Sequence, residues 1–401
     1  MSAVFRVLCA AAVLVCLAAP SPSAAEPPAR QIVVSYRSPA DLAGARVIRM
    51  LPELHAAVIE GRRGAAPVLR HALTVDEPAL APTFLPGVAW EWQWDAAHMD
   101  AVPAAVLRAA RRIKIAVIDS GADLRAPDVG DKAPGTWSVL RHSHEVRDVL
   151  GHGTFVSSLA AGSIDNGVGI SGFGGDARLL VVQAIDADGY VTDVDEAAAI
   201  VYAVKHGARI INLSIGGEET SALEKRAIRY AAKRGVLVVA AAGNEYEYGN
   251  PVEYPAALLQ PVGSHGRGGM GLAVGATTMD GTRASFSNTG SYLSLAAPGL
   301  NVFAAESADS DWPHAELPWS SPGYYGWASG TSFAAPEVAG VAALVWAANP
   351  SLDAQSVAWV LKHSATGSGW TPQLGWGSLD AAAAVKLAQS LPTQLHRRRS
   401  T

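Results

Sequence analysis

Four residues of the sequence have the types that nucleophilic hydrolysis needs, and each stands at the edge of an apolar run. Asp119 follows IAVI, His152 lies between two glycines, Asn244 follows AAAG, and Ser332 precedes FAAP. A serine hydroxyl becomes nucleophilic when an imidazole takes its proton, and a buried carboxylate fixes the tautomer of that imidazole. The Asn244 amide and the Ser332 backbone N–H are suitable donors to a tetrahedral oxyanion. Together the four residues predict acyl transfer to a serine.

Each of these residues also fits a simpler role when it is taken alone. Asp119 and Asn244 are common turn residues, a histidine at a helix start often lies on the surface, and Ser332 suits an N-cap. The sequence after Ser332 favours more than a cap, because small residues form one flank of the helix that follows: Ala334, Ala335, Ala339 and Gly340. Such a flank predicts close packing against a sheet, which would hold Ser332 rigidly.

The sequence between residues 113 and 391 predicts strands that alternate with helices. Strand-like apolar runs cover residues 113–121, 177–185, 208–217, 236–245 and 271–277, and helical patterns cover residues 194–207, 221–235, 332–348, 352–363 and 379–391. Near-continuously apolar strands indicate a mostly parallel sheet that helices cover on both faces, so the predicted fold class is α/β. In such sheets the functional site lies at the carboxyl ends of the strands, where Asp119 and Asn244 stand.

Five motifs make the chain resemble the subtilisin-like serine proteases, the subtilases of peptidase family S8. They are AVIDSG, GHGTFVSSLAAG, INLSIGG, AAAGNE and GTSFAAPEVAGVAALV, in the order of the family, and the resemblance runs from about residue 90 to about residue 387. It implies a serine endopeptidase with a doubly covered sheet, with Asp119, His152 and Ser332 as the catalytic triad and Asn244 as oxyanion donor. Phe155, Phe333 and Glu337 differ from residues frequent in the family, but none of them stands at a triad position.

The resemblance also implies where a polypeptide substrate binds. An extended peptide would pair with backbone at Ser214, Ile215 and Gly216 on one side and at Gly189 and Tyr190 on the other. The pocket for the side chain before the scissile bond, P1, would be lined by Ser214 to Gly216 and by Ala241, Ala242 and Gly243. Gly249 would form its floor and leave room. We therefore expect a preference for large apolar or aromatic P1 residues.

The N-terminal part of the chain predicts export and processing. Arg6, the apolar run 7–19 and the small residues 23–25 are typical of a signal peptide over residues 1–25, which also contains both cysteines. Residues 26–86 resemble the small α+β inhibitor-like prodomain of the family, followed by a linker, and an extension that stays attached is the alternative. The predicted catalytic domain covers residues 87–391, and residues 392–401 form a basic tail.

The composition limits the partners and cofactors. A net charge of −5 with 17% charged residues does not favour a nucleic-acid partner. We expect a secreted monomer, extracellular or periplasmic, without a stable membrane anchor and without a cofactor for its chemistry. A structural calcium ion is an open alternative, with Asp165 and Asn166 as oxygen ligands. The HSHE segment, residues 142–145, is interpreted as a solvated loop rather than a metal site.

Three functional hypotheses remain open at this point. The first is a secreted, self-processing endopeptidase of broad specificity. The second is a processing peptidase that cleaves a narrow set of precursors. The third is a catalytically silent binding protein on the same fold, which the presence of all four catalytic residue types disfavours.

Overall fold

The computed structural model describes residues 31–35, 42, 46–54, 56–60, 70–72, 90–164, 166, 168–316 and 323–392. The predicted signal peptide lies outside these residues, as do nearly all of the linker and the basic tail. The division of the chain into a signal, a prodomain and a catalytic domain therefore stays a prediction.

The described residues form strands and helices that alternate along most of the chain. The strands are β1 (Gln31–Ser35), β2 (Val47–Leu51), β3 (Ala56–Glu60), β4 (Arg70–Ala72), β5 (Lys114–Asp119), β6 (Gly135–Ser138), β7 (Arg178–Gln183), β8 (Tyr190–Thr192), β9 (Ile210–Leu213), β10 (Leu237–Ala241), β11 (Gly271–Thr277), β12 (Leu295–Pro298), β13 (Val302–Glu306) and β14 (Tyr324–Ala328). The helices are α1 (Trp92–Ala96), α2 (Ala104–Ala109), α3 (His152–Ala161), α4 (Asp193–Lys205), α5 (Ala222–Lys233), α6 (Ala256–Leu259), α7 (Thr331–Ala348), α8 (Ala354–Ser364) and α9 (Ala381–Ser390).

A seven-stranded parallel sheet lies at the centre, in the order β12-β11-β10-β9-β5-β7-β6. The strand β5 lies between β7 and β9, so the chain leaves it toward one edge of the sheet and later returns on its other side. Such a reversal opens a crevice at the carboxyl ends of the strands. Asp119, the last residue of β5, stands at that crevice. The predicted α/β class with a parallel sheet is confirmed.

The helix α7 lies in the core of the central domain, the part of the chain from residue 90 onward. Its residues from Thr331 to Trp346 are all buried, and it packs against β9, β10, β11 and α3. Among the described residues it is the one helix long and apolar enough to cross a membrane, but 89% of that stretch is buried inside the protein. It is therefore a core helix, as its small-residue flank predicts. Its N-cap is Gly330, so Ser332 lies within the first turn rather than at the cap.

The strands before residue 90 contact the central domain through the surface of α4 and α5. β1, β3 and β2 form an antiparallel sheet, and Leu51, Leu54 and Val58 belong to one apolar cluster with residues of α4 and α5. Arg49 forms an ion pair with Asp195 at 2.5 Å. The short strand β4 instead pairs antiparallel with β8.

Candidate active site

The Asp119 carboxylate and the His152 imidazole form a fully buried pair at the carboxyl end of the sheet. The Nδ1 atom of His152 lies 2.8 Å from Oδ1 of Asp119, and both side chains are inaccessible to solvent. The backbone N–H of Ser120 donates to the same oxygen at 2.7 Å. Because Nδ1 is bound to the carboxylate, Nε2 is the nitrogen available to a nucleophile. No described residue hydrogen-bonds Nε2, which is buried.

A second buried carboxylate, which the sequence reasoning missed, holds the start of α3 and thereby His152. The two oxygens of Asp148 accept from the Ser120 hydroxyl at 2.8 Å, from Gly151 N at 2.9 Å, and from the N–H and hydroxyl of Thr154 at 2.7 and 2.6 Å. Burial raises the pKa of Asp148, while these hydrogen bonds oppose the rise. The carboxylate satisfies N–H groups that a helix start leaves open. The sequence signal that could have identified Asp148 is its spacing from His152 and Thr154.

Close backbone packing brings α3 against the turn that follows Asp119. A Cβ atom at Gly153 would clash with the backbone of Gly121. The glycine after His152 is therefore required by this contact, because any side chain would push the helix away from β5. The contact fixes the distance between the histidine and Asp119.

Ser332 lies in the first turn of α7, beside His152. The ring of the next residue, Phe333, has its centroid 5.4 Å from that of the His152 imidazole. The Ser332 carbonyl oxygen accepts from the hydroxyl of Ser214 at 2.6 Å, and Asn212 donates to that hydroxyl at 2.9 Å. The N-terminal position in a long helix gives the backbone N–H of Ser332 a favourable field for an anion.

Asn244 is oriented by Thr331, the residue before Ser332. Oδ1 of Asn244 accepts from the backbone N–H of Thr331 at 2.9 Å and from its hydroxyl at 3.0 Å. The Thr331 hydroxyl also accepts from Gly243 N at 3.1 Å. Because Oδ1 receives an N–H, the amide orientation is determined, and the NH₂ group serves as a donor. The strand end at β10 and the start of α7 are thus joined through the predicted oxyanion residue.

Most of the predicted substrate-binding residues lie at this same edge. Ser214, Ile215 and Gly216 follow β9 and are buried, as are Ala241, Ala242 and Gly243 at the end of β10. Gly189 is in the turn before β8, and Tyr190 begins that strand and is 44% exposed. Tyr190 faces Ala72 and Thr192 faces Arg70 in the antiparallel pair of β8 with β4. An extended segment of this chain therefore already pairs with the predicted β8 edge.

Gly249 does not lie with these residues. It ends an exposed turn at Tyr246–Tyr248, and a Cβ atom there would have no neighbour within 4 Å. Glu253 instead lies between the two predicted pocket walls. Its side chain is in contact with Gly243, and the adjacent Tyr254 exchanges backbone hydrogen bonds with Gly217 at 3.1 and 2.9 Å. Sequence reasoning missed Glu253, because the loop after Asn244 is short and its alignment with the family was ambiguous.

Asn166, one of the two predicted calcium ligands, lies beside the carboxylate of Asp128. Asn166 donates its amide N–H to Oδ1 of Asp128 at 2.8 Å, and the Tyr325 hydroxyl donates to Oδ2 at 2.7 Å. The carboxylate is therefore satisfied by protein donors, and Asp165 lies outside the described residues. Within those residues no group of three or more His, Cys, Asp or Glu side chains is placed to hold a metal. Structural calcium stays a prediction, which unfolding with and without a chelator tests.

Comparisons with known proteins relate most of the chain to one family. The model of the subtilase family (peptidase S8) matches residues 110–377. The chain is 35% identical to subtilisin BL of Lederbergia lenta over 274 residues, covering 68% of this chain and 91% of that protein. It is also 35% identical over 232 residues to a thermophilic serine proteinase of Bacillus sp. (strain AK1), of which the match spans 51%.

The structure resembles that of fervidolysin from Fervidobacterium pennivorans, described as a keratinolytic enzyme related to subtilisin. The TM-score is 0.76 at 23% identity, and the match covers 91% of this chain and 61% of that one. At this identity the likeness concerns the fold. The chain spans only part of the length of several of these relatives.

Proposed function

The chain belongs to the subtilase family, and from this premise we propose that it is a secreted, self-processing serine endopeptidase. Asp119, His152 and Ser332 act as the triad, and Asn244 with the Ser332 backbone N–H binds the oxyanion. The observation that carries the proposal is the buried pair of Asp119 and His152, 2.8 Å apart, at the sheet edge where α7 presents Ser332. A buried pair of this kind has no evident structural need.

The proposed reaction follows from these positions. His152 Nε2 takes the Ser332 hydroxyl proton as the serine oxygen attacks the peptide carbonyl. Asp119 holds the Nδ1 proton and stabilises the imidazolium. The oxyanion receives hydrogen bonds from the Asn244 NH₂ group, which Thr331 orients, and from the helix N-terminus. The imidazolium then protonates the leaving amine, and water hydrolyses the acyl-enzyme by the same steps.

A serine-directed fluorophosphonate label and a casein assay test the activity. We expect the label on Ser332 in the wild type and its loss in Ser332→Ala. Replacing Ser214 by alanine removes the hydrogen bonds of its hydroxyl with the Ser332 carbonyl and with Asn212 but leaves the triad side chains in place, so this variant should still be labelled. An unlabelled, folded wild type would favour the silent binding protein.

The segment before residue 90 is proposed to be an inhibitor-like prodomain that the enzyme removes. Its pairing of β4 with β8 supports this proposal, because it occupies a predicted substrate edge. Mass spectrometry of the secreted protein should find the segment attached in Ser332→Ala and lost in the wild type. Equal masses would contradict self-processing. The same spectra test export, since a signal peptide over residues 1–25 would be absent from both proteins.

The expected preference for apolar P1 residues depended on Gly249 as the floor of the P1 pocket. Gly249 lies on an exposed turn, and Glu253 is the residue in contact with the pocket wall. We propose that Glu253 contributes a carboxyl group to this pocket.

A further inference from the structure

The proposed catalytic carboxylate of Asp119 has few hydrogen-bond donors of its own. Its Oδ1 atom accepts from the backbone N–H of Ser120 at 2.7 Å and from Nδ1 of His152 at 2.8 Å. Its Oδ2 atom is buried and has no hydrogen-bond partner among the described residues. The contact between this carboxylate and the imidazole therefore depends on how the structure holds the Ser120 backbone and the first turn of α3.

The buried carboxylate of Asp148 is hydrogen-bonded to both of these parts. Its Oδ1 atom accepts from the hydroxyl of Ser120, and its Oδ2 atom accepts from the hydroxyl and the N–H of Thr154 in α3. The same two hydroxyls also accept backbone N–H groups. Gly153 N of α3 donates to the Ser120 hydroxyl at 2.9 Å. Asp123 N, from the turn after β5, donates to the Thr154 hydroxyl at 2.9 Å. The turn after β5 and the start of α3 thus form one network.

The positions of the hydrogens in this network indicate that Asp148 is ionised. Each hydroxyl already accepts a backbone N–H and has no other acceptor among the described residues, so its own hydrogen points to Asp148. Gly151 N at 2.9 Å and Thr154 N at 2.7 Å supply two further hydrogens. A carboxyl proton would meet four donors and no acceptor. Burial raises the pKa of Asp148, and these hydrogen bonds act against the rise because they favour the charged form.

Capping of α3 does not by itself account for a buried charge at this place. A helix start needs acceptors for its N–H groups, and a neutral serine or asparagine side chain also provides them. Asp148 instead carries its charge in a fully buried position, close enough to Asp119 for repulsion between the two carboxylates. A buried charge of this kind is costly. What it adds beyond a cap is a fixed orientation of two hydroxyl groups that link α3 to the residue after Asp119.

We propose that Asp148 is a positioning residue for the proposed reaction, which acts through the Ser120 and Thr154 hydroxyls to hold His152 against Asp119. This inference rests on the proposed endopeptidase function and adds a second buried carboxylate to its machinery. Asp148 does not touch the reacting atoms. It determines the distance and the angle at which the imidazole meets Asp119, and a displacement of about 1 Å from such a geometry can cost about 100-fold in rate.

Thr154 allows the network to be weakened by one hydroxyl group. Thr154→Val keeps the shape and the N–H, but Asp148 loses one of its four donors and Asp123 N loses its acceptor. We expect kcat to fall by about 10-fold or more while KM stays within about 2-fold, because the catalytic geometry changes and substrate binding does not. Thr154→Ser, which restores the hydroxyl, should recover most of the rate. Steady-state kinetics of the mature enzyme on one fluorogenic peptide measures both variants.

Ser157→Ala is the matched control in the same helix. The Ser157 hydroxyl is buried like that of Thr154, but it has no hydrogen-bond partner among the described residues. Its loss should leave kcat and KM unchanged. Fluorophosphonate titration counts the active sites in every preparation, and thermal unfolding measures stability. If Asp148 only caps the helix, Thr154→Val should lower stability and leave kcat per active site unchanged, and this result would overturn the proposal.

Asp148→Asn removes the charge and turns one acceptor into a donor. Its NH₂ group would face the donors of Ser120 and Gly151 or those of Thr154, so the network cannot form as in the wild type. We expect a larger loss of kcat, about 100-fold, again with little change in KM. A folded Asp148→Asn variant with the wild-type kcat would contradict the proposal. If this variant does not fold, the comparison of Thr154→Val with Thr154→Ser still decides.

Proton NMR gives a readout that a purely structural role would not change. The Nδ1 proton of an imidazole bonded to a buried carboxylate resonates far downfield of the amide protons, so its signal reports the contact between His152 and Asp119 directly. We expect Thr154→Val to shift or broaden this resonance in the resting enzyme, whereas Ser157→Ala should keep it. An unchanged resonance in Thr154→Val would refute the positioning of His152 by this network.

The failure of this inference is distinguishable from the failure of the proposed function. A wild type that takes the fluorophosphonate label and cleaves the peptide, with a Thr154→Val variant of equal kcat, is an endopeptidase in which Asp148 has no positioning role. A folded wild type that takes no label lacks the proposed activity itself. In that case the His152 resonance still shows whether the network holds the imidazole.

Discussion

Two hydrogen bonds from Thr331 orient the side chain of Asn244, the proposed oxyanion donor. The asparagine side chain is held by two donors from one residue, the N–H and the hydroxyl of Thr331. The threonine directly precedes the nucleophile, so the same residue orients the oxyanion donor and begins the helix that carries the serine. A change at Thr331 should therefore affect the reaction without touching the triad.

Substitution of these two residues should separate donation from positioning. We expect Asn244→Ala to lower kcat by about 10²–10³-fold with little change in KM, because the lost donor acts on the oxyanion. Thr331→Val keeps the N–H but loses the hydroxyl, so its loss should be smaller. Thr331→Ser should restore most of the rate. Steady-state kinetics on one peptide measures all three, and a Thr331→Val variant with unchanged kcat would contradict the positioning role.

Among single residues, the sequence could predict those that stand in a recognisable local motif. Asp119, His152, Asn244 and Ser332 each stand in a motif, and the structure brings Asp119 to His152 and Asn244 to the start of α7. Glu253 could not be predicted, because it reaches Gly243 through a loop whose length departs from the family. Contacts between distant loops are set by three-dimensional packing, which no local pattern reports.

The element that positions the nucleophile is α7, and its close contact with α3 depends on Gly340. A Cβ atom at Gly340 would lie 2.6 Å from Gly174 N and 2.7 Å from the carbonyl oxygen of Ala160. Both are backbone atoms that cannot turn away. The sequence predicted a closely packed flank, but it expected a sheet there, and this glycine faces α3 and the loop at Gly174.

A methyl group at Gly340 should therefore destabilise the protein. We expect Gly340→Ala to lower the free energy of unfolding by about 1–3 kcal/mol, as overpacking does, despite the better helix propensity of alanine. Gly369→Ala is the matched control, since a Cβ there has no neighbour within 4 Å. Urea unfolding in a Ser332→Ala background measures both. Equal stability of Gly340→Ala and the parent would contradict the tight contact.

The sequence predicted several strands at the centre of the parallel sheet. The fully buried strands β9, β10 and β11 were predicted because nearly every residue in them is apolar or small, with Asn212 of β9 as an exception. The edge strand β6 and the hairpin of β13 and β14 were not predicted. β6 has the polar sequence GTWS, and β14 is the aromatic segment YYGWA with a glycine. Their pairing depends on partners elsewhere in the chain.

For the whole molecule, the segment before residue 90 is attached to the central domain by apolar packing and a few ion pairs. Arg49 binds Asp195, and Lys205 binds Glu53, each at 2.5 Å. We expect Arg49→Ala to weaken the binding of the cleaved segment to the central domain by up to about 1 kcal/mol, which is the usual limit for an ion pair near the surface. The delay before casein hydrolysis begins should then shorten several-fold. Arg178→Ala, an exposed charge away from the contact, should leave the delay unchanged, and an equal delay in Arg49→Ala would refute the role of the pair.

The stability of the whole molecule should depend on pH through Glu337, in the middle of the core. Neither oxygen of its carboxyl group has a hydrogen-bond partner among the described residues, and burial, with Glu91 nearby, raises its pKa well above the ordinary 4.5. The folded protein therefore keeps this proton at a pH where the unfolded chain has released it. Above pH 4.5 the unfolded state binds fewer protons, so the free energy of unfolding falls as the pH rises.

Glu337→Gln removes this titration while keeping the shape of the side chain. We expect the variant to match its Ser332→Ala parent near pH 4 and to become more stable than the parent as the pH rises toward 8. Thermal unfolding at a series of pH values measures the difference, and Glu219→Gln controls for the loss of an exposed charge. A constant difference across the pH range would mean that Glu337 is ionised in the folded core, which its unpartnered oxygens make costly.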